Sequence, residues 1–198
     1  MTLRNQSGVR INWNALFIFS IVLGVLYLYQ QTEKPPADLP MPIAQVRFLE
    51  ILAASAQRYN ARQNDLQIAA IRQDRARNIC STVEGLKFND WLGRIESISS
   101  TLSGKAALRV RITPEIELKT MNSDLSDIGQ NTLIPADSPL YKSIYNLPSK
   151  QWIRVSGLFF ASQSDCIREG SLTNEGSLTE PEFVVRFTNI TNIKEGSR

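Results

Sequence analysis

The hydrophobic and polar positions of this chain follow three different patterns. Residues 11–32 carry no charged side chain and are apolar almost throughout their centre. In residues 43–80, apolar side chains recur every three or four positions, which is typical of a helix. Beyond residue 87, apolar and polar positions alternate, as they do in half-buried strands. The pattern predicts an α+β protein with an apolar helix, a helical arm and a β domain.

The uncharged segment, residues 11–32, is long enough to be a transmembrane helix, because about 20 helical residues cross a bilayer core. We expect Trp13 near one end and Tyr27 and Tyr29 near the other to act as membrane-interface anchors. A cleaved signal peptide is the alternative, but no small-x-small cleavage site follows the segment. We therefore predict an uncleaved signal-anchor.

The orientation of this anchor is predicted from the basic residues beside it. The N-terminal tail, residues 1–10, carries Arg4 and Arg10 and no acidic residue, whereas Lys34 is the only basic residue between the anchor and Arg47. Basic tails stay in the cytoplasm, so we expect a cytoplasmic N-terminus. In a bacterium, the protein would lie in the inner membrane with its C-terminal domain in the periplasm.

Four prolines in residues 33–42 predict an extended, semi-stiff linker. The arm that follows, residues 43–80, has a predicted break near YNARQND, residues 59–65. We expect its six arginines to be solvated and locally ion-paired. Its apolar stripe packs either on the following domain or on a second copy of the arm. The stripe comprises Ile43, Val46, Leu49, Leu52, Ala53 and Ala56, and it resumes after the break with Leu66, Ala69 and Ala70.

Five strand candidates and one short helix follow in residues 81–198. The strand candidates are FNDWLGRIESISS, ALRVRIT, IELKT, QWIRVSGLFFAS and FVVRFTNIT. Between the third and fourth, Ser138 is a predicted helix N-cap with Pro139 at the first helical position. The order β-β-β-α-β-β is that of a small OB-like five-stranded barrel. Gly93 and Gly157 are expected to allow sharp strand bends in it.

Several stretches resemble a known group of proteins. NDWLGRIESIS, SDCIREGSLT and PEFVVRFTNI, together with the anchor and the ARNIC before the barrel, resemble small bacterial membrane-anchored proteins with a C-terminal OB-like domain. The resemblance implies a bacterial origin. Because no activity is assigned to that group, the resemblance assigns no functional residue to this chain.

The absence of histidine narrows the possible chemistry. It excludes Cys–His and Ser–His catalysis and any zinc site that needs imidazole within this chain. Two cysteines are too few for an all-thiolate zinc site. A hydrolase with a Ser–Lys site remains an alternative, through Ser103 with Lys105 or Ser143 with Lys142, although such pairs also occur by chance. We expect no enzyme activity, no cofactor and no metal.

A polar loop with Asp124, Asp127 and Asp137 carries the carboxylates that hard cations prefer. Its spacing does not match an EF-hand, so we expect a solvated loop.

A possible exposed basic face would be formed by Arg109, Arg111, Arg154 and Arg186. OB-folds often bind single strands, so a tethered binder of single-stranded nucleic acid or another ligand is an alternative function. However, residues 81–198 contain 13 lysines and arginines against 14 acidic residues, a net charge of −1. Counterion release would then contribute little, so nucleic acid is not expected.

The two cysteines, Cys80 and Cys166, are predicted to form a disulfide if the domain is exported, because oxidising compartments pair thiols. Two separate thiols, one of them buried, are the alternative. A catalytic thiol at Cys166 would have only Arg168 beside it and no base.

These observations together predict a non-catalytic interaction or scaffold module of the cell envelope. Its expected partners are the lipid bilayer, through the N-terminal helix, and either an envelope protein or a second copy bound through the arm.

Overall fold

A computed structural model describes residues 39–193, which belong to one compact unit, Asp38–Arg198. The helices are α1 (Ile43–Asn60), α2 (Leu66–Thr82), α3 (Pro139–Ile144) and α4 (Asn174–Thr179), with a 3-10 turn at Glu84–Leu86. The strands are β1 (Lys87–Ser100), β2 (Ala106–Arg111), β3 (Glu117–Lys119), β4 (Trp152–Phe159), β5 (Ala161–Ser162), β6 (Cys166–Ile167) and β7 (Glu182–Asn192). The α+β class is therefore confirmed.

Five of the strands close into a barrel in the order β1-β2-β3-β7-β4. β3 and β7 pair in parallel, with Leu118 opposite Phe183, and the other four pairings are antiparallel. β5 and β6 form a separate two-stranded hairpin. The five-stranded barrel predicted from the strand candidates is confirmed.

The two-residue alternation of the strands determines which side chains fill the barrel. In β2, Leu108 and Val110 are fully buried inside, whereas Arg109 and Arg111 lie on the outer surface. Apolar side chains from every barrel strand meet in this core. Its members include Phe88, Trp91, Ile95, Leu108, Val110, Leu118, Ile153, Val155, Phe159, Phe183, Val185 and Phe187.

The helix predicted between the third and fourth strands is present as α3. The Ser138 side chain accepts a hydrogen bond from the backbone N–H of Tyr141 at 3.1 Å, and Pro139 is the first helical residue. This is the N-cap that the sequence predicts.

The register of β4 against β7 shifts between Ser156 and Gly157, and both strand glycines are in addition closely packed. A Cβ atom at Gly157 would lie 2.5 Å from the carbonyl oxygen of Arg186 and 2.6 Å from the Phe88 ring. A Cβ atom at Gly93 would lie 2.5 Å from a methyl of Val110. Both positions therefore need glycine because neighbouring groups approach the backbone closely.

The arm is broken where the sequence predicts, since α1 ends at Asn60 and α2 begins at Leu66. α1 contributes the fully buried Phe48 to the barrel core, where ring centroids of Trp91, Phe183 and Phe159 lie 4.9, 5.4 and 5.7 Å away. The predicted packing of the arm on the following domain is therefore confirmed for α1.

The buried face of α1 differs from the predicted apolar stripe. Ile43, Val46 and Ala53 are exposed, and so are Leu66, Ala69 and Ala70, the predicted stripe residues of α2. The residues that are buried are Gln45, Phe48, Leu52, Ser55 and Tyr59. Gln45 is buried because its amide donates to the carbonyl of Leu92 at 2.6 Å and accepts from the Leu92 N–H at 2.8 Å. These bonds replace the water that the amide loses on burial.

No helix within residues 39–193 combines the length and the apolar character that crossing a bilayer requires. The predicted anchor and its interface residues Trp13, Tyr27 and Tyr29 lie outside the described residues.

Candidate functional site

A disulfide joins the arm to the barrel. Cys80, near the end of α2, is bonded to Cys166 in β6, and their Cα atoms are 5.6 Å apart. The bond closes a loop across 86 positions of sequence. The predicted disulfide is confirmed, so Cys166 is not a free thiol and cannot act as a nucleophile in this state.

Five residues before Cys80 on the same helix, Arg75 is buried at the contact between arm and barrel. Its Nη2 donates to the carboxylate of Asp165 at 2.9 Å, and its Nη1 donates to the carbonyl of Ser177 in α4 at 2.5 Å. Arg72 Nε lies 3.5 Å from the same Asp165 carboxylate. We call Arg72, Arg75, Asp165 and the two cysteines the arm–barrel junction.

Asp165 stays ionised at this junction. Burial by itself would raise the pKa of its carboxyl group. The hydrogen bonds from Ser164 and Arg75 and the charges of Arg72 and Arg75 outweigh that effect and lower the pKa below its usual value. The pair therefore keeps both charges, although both side chains are buried.

Sequence reasoning missed Arg75, because an arginine in a basic helix is usually solvated. Local ion pairs of the expected kind are present for two other arginines of the arm, since Arg77 binds Asp74 and Arg62 Nε lies 3.4 Å from Asp65. Arg58 of α1 instead binds Asp74 of α2, with its Nη1 2.7 Å from that carboxylate. The Arg58 hydrogen bond lowers the pKa of Asp74. Arg58, Asp74 and Arg75 line an open groove of about 380 Å³ beside α1 and α2.

Arg109 and Arg111 of the predicted basic face lie together on the outer surface of β2. Arg109 binds the Glu117 carboxylate, which raises the pKa of its guanidinium, and its Nη2 lies 3.3 Å from Glu182. Arg111 Nη2 lies 3.6 Å from Glu96. The two arginines are thus interleaved with carboxylates on this wall of the barrel.

The other two arginines of that predicted face bind different parts of the chain: Arg154 on β4 binds β1 and the segment before α1, and Arg186 on β7 binds the loop after β3. Arg154 donates to the Asp90 carboxylate at 3.1 Å and to the Pro40 carbonyl at 3.0 Å. Arg186 donates to the carbonyls of Asn131 at 3.0 Å and Gln130 at 2.7 Å. Both side chains are half-buried, and their donors are occupied by groups of this chain.

The two Ser–Lys candidates make structural contacts. Ser103 Oγ donates to the Asp124 carboxylate at 2.5 Å, and Lys105 Nζ lies 3.6 Å from the same group. Ser143 Oγ donates to the carbonyl of Leu140 within its own helix, α3, at 2.7 Å. In each pair, the serine hydroxyl is directed to an acceptor other than the lysine.

The carboxylates of the acidic loop point in different directions. Asp127 is buried and accepts from the N–H and the hydroxyl of Thr132, each at 2.7 Å, and from the Leu133 N–H at 3.2 Å. Asp124 faces Ser103, and Asp137 is exposed. Within residues 39–193, no three His, Cys, Asp or Glu side chains are placed to hold a metal ion.

The loop between β1 and β2 and the loop between β3 and α3 carry three exposed aliphatic residues that the sequence did not single out. Leu102 follows β1, and Leu125 and Ile128 follow β3; their relative exposures are 107%, 80% and 72%. We call these three residues the loop tip.

The chain matches no known family model, and no curated protein or solved structure is significantly similar to it.

Proposed function

We propose that this chain is a single-pass protein of the bacterial inner membrane whose exported barrel domain is a non-catalytic interaction or scaffold module. The observation that carries the proposal is the Cys80–Cys166 disulfide, which fixes the arm to the barrel. Disulfides of this kind persist in oxidising compartments such as the periplasm and are rare in the cytosol. An uncharged segment at residues 11–32 supplies the anchor in this proposal.

The barrel topology is consistent with an OB-like module. The strand order β1-β2-β3-β7-β4, with α3 between β3 and β4, supports this part of the proposal. The interior is filled by buried apolar side chains, so a partner would bind to the outer surface or the loops. OB-folds use the same parts of the barrel for their ligands.

The contacts of the candidate residues favour a protein partner over a polyanion. Arg109 and Arg111 face carboxylates, and Arg154 and Arg186 are held by loop carbonyls and by Asp90. Phosphate groups would have to displace those partners, and residues 81–198 offer no net positive charge to favour the exchange.

The topology is tested with reporters fused to the anchor and arm after residue 80. A reporter that is active only outside the cytoplasm should be active, and one that is active only inside should be silent. The reverse result would place the cysteines in a reducing compartment and overturn the proposal.

The interaction role is tested by purifying the intact, tagged chain in mild detergent after crosslinking in cells. A chain shortened to residues 1–38 is the matched control, because it keeps the anchor and lacks the arm and barrel. We expect a defined protein to co-purify with the full chain only. If the same proteins accompany both chains, the barrel is not the interacting part.

A further inference from the structure

The loop tip consists of large aliphatic side chains that the fold leaves in water. Leu102, Leu125 and Ile128 are among the most exposed apolar residues within the described part of the chain. A single exposed aliphatic residue is ordinary, but three on adjoining loops form a patch that is typical of a binding surface.

The two loops that carry the tip are joined and internally bonded. Ser103, next to Leu102, donates to Asp124, next to Leu125, through its N–H at 3.2 Å and its hydroxyl at 2.5 Å. The buried Asp127 carboxylate, next to Ile128, accepts three hydrogen bonds from its own loop. The aliphatic side chains are therefore presented on fixed loops.

The charges beside the tip are neutralised within the loops. Asp124 lies 3.6 Å from Lys105 Nζ, and Asp127 is satisfied by hydrogen bonds. The remaining polar side chains between residues 122 and 131 are uncharged, namely Asn122, Ser123, Ser126, Gln130 and Asn131, and the exposed Asp137 lies nine residues beyond Ile128. Such a surface can approach an apolar environment without leaving an isolated charge there.

The length of the chain before the barrel limits what this tip can reach. Only six residues, 33–38, separate the uncharged segment from Leu39, and they include two prolines. Six residues reach at most roughly 20 Å. A bilayer that holds residues 11–32 would thus always lie close to the barrel, at high effective concentration.

We propose that the loop tip is a second membrane contact, whose Leu102, Leu125 and Ile128 side chains insert into the interface of the same bilayer that holds the anchor. The inference rests on the proposed function for the existence of that anchor. A monotopic contact of this type buries apolar side chains at the boundary between headgroups and acyl chains. It would fix the orientation of the barrel on the membrane.

The test uses the full chain with Leu125→Cys, the only free thiol while Cys80 and Cys166 are bonded, labelled with the fluorophore NBD. The protein is reconstituted into phosphatidylcholine vesicles with and without brominated lipid. Glu84→Cys is the matched control, because it is exposed and precedes β1, whereas the tip follows the other end of that strand. A third chain carries Leu125→Cys with Leu102→Ser and Ile128→Ser.

We expect the NBD emission at position 125 to be blue-shifted, and we expect brominated lipid to quench roughly half or more of that emission. The reason is that interfacial side chains lie about 5–10 Å into the headgroup boundary. The label at position 84 should be unshifted, and the triple variant should lose at least about half of the quenching, since both remaining aliphatic side chains of the tip are removed. Water-like emission at position 125 in vesicle-bound protein would overturn this inference, and the tip would then be assigned to a protein partner.

Flotation of the same vesicles separates this inference from the proposed function. If the protein floats with the vesicles and is not extracted by alkaline carbonate, but shows no quenching at position 125, the anchor is present and only the second contact is refuted. Protein that does not float refutes the anchor and the inference that depends on it.

Discussion

At the scale of single residues, two arginines of α2 differ sharply in their surroundings. The side chain of Arg75 is 0% exposed and bonded to Asp165, whereas that of Arg77, two residues on, is 69% exposed and bonded to Asp74. Removing one partner of a buried pair leaves an uncompensated charge, whereas exposed pairs contribute little.

We therefore predict that Arg75→Met lowers the free energy of unfolding by roughly 3 kcal/mol, because Asp165 keeps only Arg72 and Ser164 as partners. The matched variant Arg77→Met should change it by less than about 1 kcal/mol. Urea denaturation of the detergent-solubilised chain measures both. Equal effects of the two substitutions would contradict the assignment of Arg75 to the junction.

A second prediction concerns the close approach of backbone and ring at Gly157. Gly157→Ala should destabilise the barrel by roughly 1–3 kcal/mol, because its methyl would overlap the Arg186 carbonyl and the Phe88 ring. Gly170→Ala is the control, since its Cβ would meet nothing closer than 3.5 Å, and it should stay within about 0.5 kcal/mol of the parent. Thermal melting compares the three chains, and a neutral Gly157→Ala would refute the close packing.

At the scale of elements, strands were easier to predict than the face of α1. Leu108 and Val110 alternate with arginines in the sequence, so the inward side of β2 is evident from the pattern. In α1, several apolar residues lie on the exposed side, and the buried side includes Gln45. Only the hydrogen bonds to Leu92, a contact across 47 positions, explain that burial.

Other elements were missed because their signals are short or non-local. The β5–β6 hairpin has two residues in each strand, and α4 has six residues, too few to show a period. The parallel pairing of β3 with β7 depends on barrel closure, which individual strand patterns do not reveal. The disulfide was predictable because the sequence contains only two cysteines and an exported domain favours pairing them.

The arm is held to the barrel both covalently and by packing. The 86-position loop closed by the disulfide contributes up to about 4–5 kcal/mol in the chain-entropy model. Burial of Phe48 contributes about 1.5–3 kcal/mol more, independently of the bond. Neither contribution is negligible beside the total stability of a small domain.

The third prediction follows from these two contributions. The double variant Cys80→Ser with Cys166→Ser should lose up to about 4–5 kcal/mol of unfolding free energy yet keep its native circular-dichroism spectrum, because Phe48 and Gln45 still hold α1. Adding reductant to the parent chain should reproduce the loss and leave the double variant unchanged. An unchanged midpoint in both cases would show that the bond does not stabilise the domain.

At the scale of the whole molecule, charge distribution separates the alternative functions. The domain has a net charge of −1 over residues 81–198, and its predicted basic residues bind acidic side chains or carbonyls of the same chain. An OB-type binder of single strands normally offers a positive groove with aromatic platforms.

We accordingly predict that the full chain in detergent does not retain single-stranded DNA at physiological salt. Fluorescence anisotropy with a labelled oligonucleotide measures this, and a known single-strand-binding protein serves as the positive control. Submicromolar binding that weakens steeply with added salt would restore the nucleic-acid alternative.

The measurement that tests the account most directly is thiol trapping on the full chain in its native membranes. Cells are harvested with a thiol-blocking reagent, and the membrane fraction is denatured and alkylated with a maleimide that adds a resolvable mass. The account predicts that Cys80 and Cys166 are both unmodified without reductant and both modified after reduction, in protein that fractionates with the membrane. Cysteines that stay unmodified even after reduction, because they were free thiols when the blocking reagent was added, would contradict it.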